Sequence, residues 1–309
     1  MNSVLILDKP PGLTSHDVVN RVRRILGERS VGHLGTLDPS ATGVLPLVIG
    51  SFTRLAQFYA HSEKKYEGVI RFGFSTDTYD ADGEPTSTPQ PVALDPAALE
   101  ALAADFRGTI QQTPPPFSAK KIAGVPAYKL ARKNREVTLQ PVQVEIKEFA
   151  PLDIAADRVT FRAHVTSGTY LRSIAHDMGQ KLGCGAHLAS LRRTAVAEFT
   201  IEGAHTLADL EAAAKQAKSQ GSIEDSCEHL FVHPRLLVPQ LPSVTATDEN
   251  VAMIRAGRAV NLPEMSRAPL VKVFYGQREL VAIATRIAGT LFHAGIVLTT
   301  AAPVRSFQP

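Results

Sequence analysis

Cys184 and Cys227 are the only cysteines in 309 residues, too few for a disulfide framework and, on their own, for a zinc site. A reducing, cytoplasmic setting is the expectation that follows. Long apolar runs are also missing. A membrane-spanning helix needs roughly 18 uninterrupted apolar residues, and the best stretch, Val281 to Val297, is broken by Arg286 and His293. The N-terminal MNSVLILDKPPG meets an acid after seven residues, with no basic start or cleavage site, so it does not read as a secretory signal. Internal repeats and low-complexity tracts are absent as well. Net charge is small: 33 Lys+Arg against 30 Asp+Glu gives +3, which neither proclaims nor excludes a nucleic-acid partner. What is present is the composition of a folded protein, 44% hydrophobic and 20% charged. The length fits one large or two ordinary domains.

The near-neutral average hides separated blocks. Gly73 to Phe106 carries seven acids and no Lys or Arg, whereas Phe117 to Arg135 carries six bases and no acid. Such separation can create a local positive field on a nearly neutral protein. Val4 to Leu7 reads as a buried strand running into the Lys9-Pro10-Pro11-Gly12 turn. A helix is predicted next, with Ser15 as its cap, Val18, Val19, Val22, Ile25 and Leu26 on its apolar face, and Gly27 as its stop. Glu67 to Phe74 has strand composition, and Thr76 to Pro91 is a polar loop. Asp95 and Pro96 open a helix reaching Phe106. Val142, Val144 and Ile146 alternate, as do Val159, Phe161, Ala163 and Val165, marking half-buried strands. A helix is expected from about Tyr170 to Leu182 and another from Leu207 to Gln220. Pro234 to Pro242 reads as a linker, followed by short strands over Leu270–Tyr275, Leu280–Thr285 and Leu291–Leu298. Strands and helices mix without regular alternation, so the predicted class is α+β with an antiparallel-rich mixed sheet. The predicted division is 1–237 and 238–309, the second part being a small β-domain.

Several chemistries lack their motif. Gly32-His33-Leu34-Gly35 has no third glycine for a dinucleotide fingerprint, and no GxxxxGK[ST] or GxSxG occurs. Asp80-Ala81-Asp82-Gly83 lacks the spacing and terminal Glu of a calcium loop. His229 and His233 lack the intervening HExxH glutamate. None of these motifs points to a metal or a nucleotide cofactor.

One segment does carry chemistry: Gly32 to Gly50, GHLGTLDPSATGVLPLVIG. Pro39 denies Asp38 a helical conformation, and Gly35 and Gly43 free the backbone on either side. An acid on such a loop, beside the buried run Val44 to Ile49, suits low-dielectric chemistry. Residue by residue, an Asp-Pro pair is also an ordinary turn opener.

The stretch closely resembles the signature of the TruB family of tRNA pseudouridine synthases. Four further blocks resemble that family in the same order: LDKPPGLTSHDVV (Leu7 to Val19), KKYEGVIRFGFSTDTYDADG (Lys64 to Gly83), QTPPPFSAKKIAGVPAYKLAR (Gln112 to Arg132), and SGTYLRSIAHDMG with HLASLRRT (Ser167 to Gly179, His187 to Thr194). Together they span about 190 residues. The C-terminal segment resembles, more weakly, the PUA-type RNA-binding module that follows the family's catalytic domain. The resemblance implies isomerisation of uridine-55 in the T loop of tRNA, without metal or cofactor, by base flipping at a cost of a few kcal/mol of unstacking.

In that resemblance Asp38 falls on the catalytic aspartate. Its carboxylate either attacks the ribose C1′ or removes the C2′ proton. Ionisation in a closed pocket needs a cation nearby, and Arg172 matches the family's partner arginine. Tyr66 matches the tyrosine that stacks on the target base and is the candidate to take the C5 proton. Tyr170 matches a second pocket tyrosine, Leu191 an apolar wall of the uracil site, and Asp80 the acid that contacts a pocket tyrosine. His33 matches the histidine that inserts into the T loop. Lys9, Arg54 and Arg193, with Lys120 and others of the Lys120–Arg135 segment, are expected to face phosphates. The resemblance further implies a cytoplasmic monomer acting on the tRNA T arm and T loop, with no membrane and no obligate protein partner. Two alternatives stand beside it: a guide-RNA-dependent synthase of the dyskerin type, and a tRNA-binding chaperone with secondary catalysis.

Overall fold

The computed structural model describes residues 1–118, 121–122, 125–126, 139–220 and 222–298. The chain opens on strand β1 (Ser3–Lys9), whose side chains alternate between two cores. Leu5 and Leu7 pack with Val18, Val22 and Leu210 on the helices Ser15–Leu26 and Leu207–Gln220. Val4 and Ile6 pack on the opposite face, against Phe52, Val196 and Phe199. Burial on both faces explains why the strand is apolar throughout rather than alternating. The next strands are β2 (Val31–His33), β3 (Thr42–Ile49), β4 (Lys64–Phe72) and β5 (Gly108–Gln112), with a small hairpin of β6 (Lys121–Ile122) and β7 (Val125–Pro126). Then come β8 (Val142–Ala155), β9 (Arg158–Val165), β10 (Ala186–Val196) and β11 (Phe199–Thr200).

These strands, the hairpin apart, form one nine-stranded sheet in the order β1-β3-β10-β4-β9-β8-β5, with β2 on β3 and β11 on β10. Every pairing in it is antiparallel except β3 with β10. The far edge of β3 is divided: its start pairs with β10 at Thr42 and Gly43, and its end pairs with β2 at Leu47 to Ile49. The loop joining β2 to β3, residues 34–41, lies where those two neighbours part. The helices Pro96–Ala104 and Leu171–Lys181 bury Leu99, Leu102, Ile174 and Met178 against Ile70, Phe149 and Phe161. The mixed α+β, antiparallel-rich class is the one observed.

Local signals misplace two features. The first helix is capped by Thr14, not Ser15: Thr14 and Asp17 form a reciprocal capping box. That leaves Ser15, the first residue inside the helix, for another use. The Pro234–Pro242 stretch is no free linker. Leu237 and Val238 are wholly buried, and the Val238 N–H donates to the Tyr59 hydroxyl at 2.9 Å and the Glu198 carboxylate at 3.1 Å. The buried Lys272 ammonium donates to the carbonyls of Arg235 and Leu237 at 3.0 and 2.7 Å. The prolines of the stretch read as a linker, but the apolar residues between them fill a core.

Beyond it, β12 (Ser243–Thr245), β13 (Val260–Asn261), β14 (Leu270–Tyr275), β15 (Glu279–Ala288) and β16 (Leu291–Val297) form a second sheet, ordered β12-β14-β15-β16-β13. Phe274, Leu280 and Ile283 join Val4, Ile6 and Phe52 in one apolar cluster. Among the described residues no helix is long and apolar enough to cross a membrane.

Candidate active site

Five consecutive carbonyls, residues 35 to 39, are each engaged, and this holds Asp38 in place. Arg193 donates to Gly35 O at 2.9 Å and Thr36 O at 3.3 Å. Ser15 donates to Leu37 O at 3.2 Å and accepts from Leu37 N at 2.9 Å. The Ala41 N–H closes on Asp38 O at 3.1 Å, and Pro39 O accepts from Lys9 Nζ at 2.9 Å and from Gly12 N. A loop so completely bonded loses little further entropy on binding a substrate.

Lys9 and Arg193, expected at phosphates, are thus turned inward and wholly buried. Their charges serve loop carbonyls. Burial takes the Lys9 ammonium down to about 8, against the opposing pull of Asp38. Arg193 also donates to Val44 O at 2.8 Å and hydrogen-bonds Tyr66. Its backbone sits so close to Gly43 that a Cβ there would lie 2.1 Å from Arg193 O, at a φ of +99°. Gly43→Ala is therefore expected to destabilise the fold by more than about 3 kcal/mol and to empty the site, read as a lowered thermal midpoint. A midpoint within two degrees of wild type would contradict that contact.

Asp38 and Arg172, 134 positions apart, meet directly. Arg172 Nε lies 3.0 Å from Asp38 Oδ2 and Nη2 donates to Oδ1 at 3.3 Å, a two-pronged pair. Arg172 is only 6% exposed. Its remaining contacts are Thr78 O at 3.1 Å, Phe117 O at 3.0 Å and the Asp80 carboxylate at 3.3 Å. Asp38 keeps 40% of its side chain open, so the carboxylate is gripped from one side and reachable from the other. Enclosure by protein is the largest influence on it and raises its pKa. Arg172 and Lys9 oppose that rise, while Asp80 and Asp82 add to it.

Asp80, expected to touch a pocket tyrosine, instead accepts from Thr78 Oγ1 at 2.5 Å and Asp82 N at 3.1 Å and pairs with Arg172. Tyr66 is buried on β4, opposite Arg193 in register. Tyr170 precedes the Arg172 helix, its backbone held both ways by Gln112 at 2.8 and 3.0 Å. Burial raises its phenol, and Asp38 is near enough to act on it. Leu191 lies on β10 opposite Gly68. It lines a cavity of about 340 Å³ with Ser40, Thr42, Glu67 and Arg192 that includes none of Asp38, Tyr66 and Arg172.

His33 ends β2, its Nδ1 buried without a partner among the described residues. Burial, Arg193 and His16 all push its pKa down, which favours the neutral ring. Arg54 is exposed and donates to Val297 O at 2.9 Å, placing it where the two sheets meet. Lys120, the segment from 127 to Arg135 and the tail after Leu298 lie outside the described residues. No cluster of three or more metal-ligating side chains occurs among the described residues.

Sequence reasoning missed Ser15, Thr78 and Phe117. Ser15 gave a signal, a hydroxyl beside the true cap, but nothing local says that it bonds Leu37. Thr78 and Phe117 act through backbone carbonyls, which no side-chain pattern reveals.

A mixed antiparallel sheet with a gripped aspartate on a β2–β3 loop defines a class, and comparison with known proteins supplies it. Residues 23–171 match the TruB family pseudouridylate synthase N-terminal domain, and residues 172–237 match the tRNA pseudouridylate synthase B C-terminal domain. A tRNA pseudouridine synthase B of Solibacter usitatus is 48% identical over 301 residues, 96% of this chain and 100% of that protein. One of Opitutus terrae is 48% identical over 212 residues, 69% of this chain and 88% of its own. The chain belongs to the TruB family of pseudouridylate synthases. Among solved structures, the archaeal box H/ACA sRNP Nop10–Cbf5 complex contains a chain 28% identical, with a TM-score of 0.68, covering 96% of this chain and 86% of its own.

Proposed function

We propose that this protein converts the uridine at position 55 of the tRNA T loop to pseudouridine, using Asp38 as the reacting carboxylate. The observation that carries the reading is the Asp38–Arg172 pair on a fully bonded loop, in a chain whose relatives are named tRNA pseudouridine synthase B. The reaction breaks the N1–C1′ bond, forms a C5–C1′ bond, removes the C5 proton and returns a proton to N1, so nothing is oxidised or hydrolysed. Asp38 begins it as an anion, at C1′ or at the C2′ proton. Arg172 stabilises that anion. Tyr66 stacks on the flipped base and receives the C5 proton, Tyr170 and Leu191 flank the base, and His33 enters the T loop. Neutral His33 suits that role, since an uncharged ring can stack among bases.

The division at 237/238, with a PUA-type RNA-binding module after it, belongs to the same reading, as does a cytoplasmic monomer needing no guide RNA, protein partner or cofactor. Arg54 is free to face a phosphate at the junction of the two sheets. The guide-dependent alternative rests on the Cbf5 likeness, at 28% identity against 48% for a tRNA-modifying relative, and is the weaker reading.

Purified protein incubated with an unmodified tRNA transcript is expected to yield pseudouridine at position 55 alone, mapped by carbodiimide modification and primer extension. An isolated T-arm stem-loop is expected to react too. Activity only after adding a guide RNA, or modification elsewhere, would overturn the reading.

A further inference from the structure

Arg172 is held by two groups from one short segment, the Thr78 carbonyl and the Asp80 carboxylate. Between them sits Tyr79, whose backbone is left-handed at a φ of +66°, a conformation that bulky side chains seldom adopt unaided. Something must hold it. The Tyr79 ring lies flat on the His176 ring, centroids 3.7 Å apart and planes within 10°. His176 is four residues beyond Arg172 on the helix Leu171–Lys181, one turn along the same face. Its Nδ1 is buried without a partner among the described residues, so the stack, rather than a ring hydrogen bond there, fixes it.

These contacts close a ring. The helix supplies Arg172 to Thr78 and Asp80 and supplies His176 to the residue between them. The Tyr79 carbonyl also accepts from Leu188 N at 2.9 Å, and Ala81 N donates back to Leu188 O at 3.1 Å, which anchors the segment to β10.

We propose that Tyr79 and His176 are positioning residues: their stack clamps the 78–80 segment so that Arg172 is delivered to Asp38 in register. The inference rests on the proposed reaction for its kinetic consequence, though not for its electrostatic one. Loosening the clamp withdraws Arg172 from Asp38 and leaves RNA contacts elsewhere untouched, so turnover falls while affinity stays. A misplacement of this kind costs about ten-fold or more in rate.

The test compares Tyr79→Asn, which accepts the left-handed backbone but cannot stack, with Tyr79→Phe, which keeps the ring. It pairs them with His176→Ala and His176→Phe. The expected result is kcat on a T-arm stem-loop reduced about ten-fold in Tyr79→Asn and His176→Ala, with KM within two-fold, and both phenylalanine variants near wild type. Carbon-13 NMR titration of the Asp38 carboxyl provides a readout that needs no turnover. Around Asp38 stand Arg172, Lys9, Asp80 and Asp82, so retreat of Arg172 leaves the acids to prevail and moves the titration to higher pH. Unchanged kcat and unchanged Asp38 titration in Tyr79→Asn would sink the clamp. So would equal losses in all four variants. If Tyr79→Asn fails to fold, the His176 pair decides by the same criteria, as alanine suits a helix interior. Inactivity of the wild type would refute the proposed reaction instead, and the titration would still decide the clamp.

Discussion

Asp38→Asn is expected to abolish pseudouridine formation, by more than about 10³-fold, while tRNA affinity stays within a few-fold and the fold is undisturbed. An amide can neither attack C1′ nor accept the C2′ proton at a useful rate, whichever route operates. Arg172 retains Asp80, Thr78 O and Phe117 O as partners. The effect on stability has a definite sign. Enclosure raises the Asp38 pKa in the folded protein, so the folded state holds this proton more tightly than the unfolded chain does. Stability from this group is therefore present at low pH and is lost as pH rises through the usual carboxylate range and past it. Near pH 7 the ionised Asp38 is a cost to the fold, and asparagine relieves it. Thermal melts at pH 7 are expected to place Asp38→Asn at or above wild type. Measurable turnover in the variant, after excluding deamidation, would remove Asp38 from the reaction.

The same raised pKa sets an acid limit on activity. The anion is the reacting form, so kcat/KM is present above the Asp38 pKa and falls below it, at a pH higher than an ordinary aspartate would give. In the proposed reaction the surroundings play two opposed roles: burial raises the basicity of the carboxylate, and Arg172 favours its ionised form.

Much of this was legible in the chain. The left-handed Gly27 stop, the Asp95 cap with Pro96 and the alternation of β9 are local matters, decided within a few residues, and the structure follows them. The Asp38 loop also announced itself, because Pro39 and the flanking glycines restrict the backbone whatever surrounds it. The direction in which charges point was not legible. Lys9 and Arg193 were expected at phosphates because they fall on basic positions of the family resemblance, and such residues are almost never fully buried unless paired. Here the partners are carbonyls of residues 35, 36, 39 and 44, and a carbonyl leaves no mark in sequence. Ser15 is the same case: its hydroxyl, one residue from a cap, closes on Leu37 across 22 positions. The linker reading failed for a related reason. Burial of Leu237 and Val238 depends on an apolar cluster to which both ends of the chain contribute, Val4 and Ile6 at one end and Leu298 at the other.

Arg172→Met is the second large effect, and it combines chemistry with stability. The guanidinium spreads its donors over two carboxylates and two carbonyls. Methionine leaves Asp38 and Asp80 facing each other with no cation between them. Removing one partner of a buried ion pair costs about 3–5 kcal/mol, so the thermal midpoint drops. Like-charge proximity then raises the Asp38 pKa further, and kcat falls by at least about a hundred-fold. The surviving activity shifts its acid limb upward, because more alkaline solution is needed to ionise Asp38. Arg172→Lys is the informative companion. It keeps the charge but offers three donors from a single point, not a planar fork. It is expected to hold the acid limb near its wild-type position while still losing much of the rate, because Thr78 O and Phe117 O go unserved. An acid limb that stays fixed in Arg172→Met would show that Asp38 is ionised without help from Arg172, and the electrostatic account of the pair would fail.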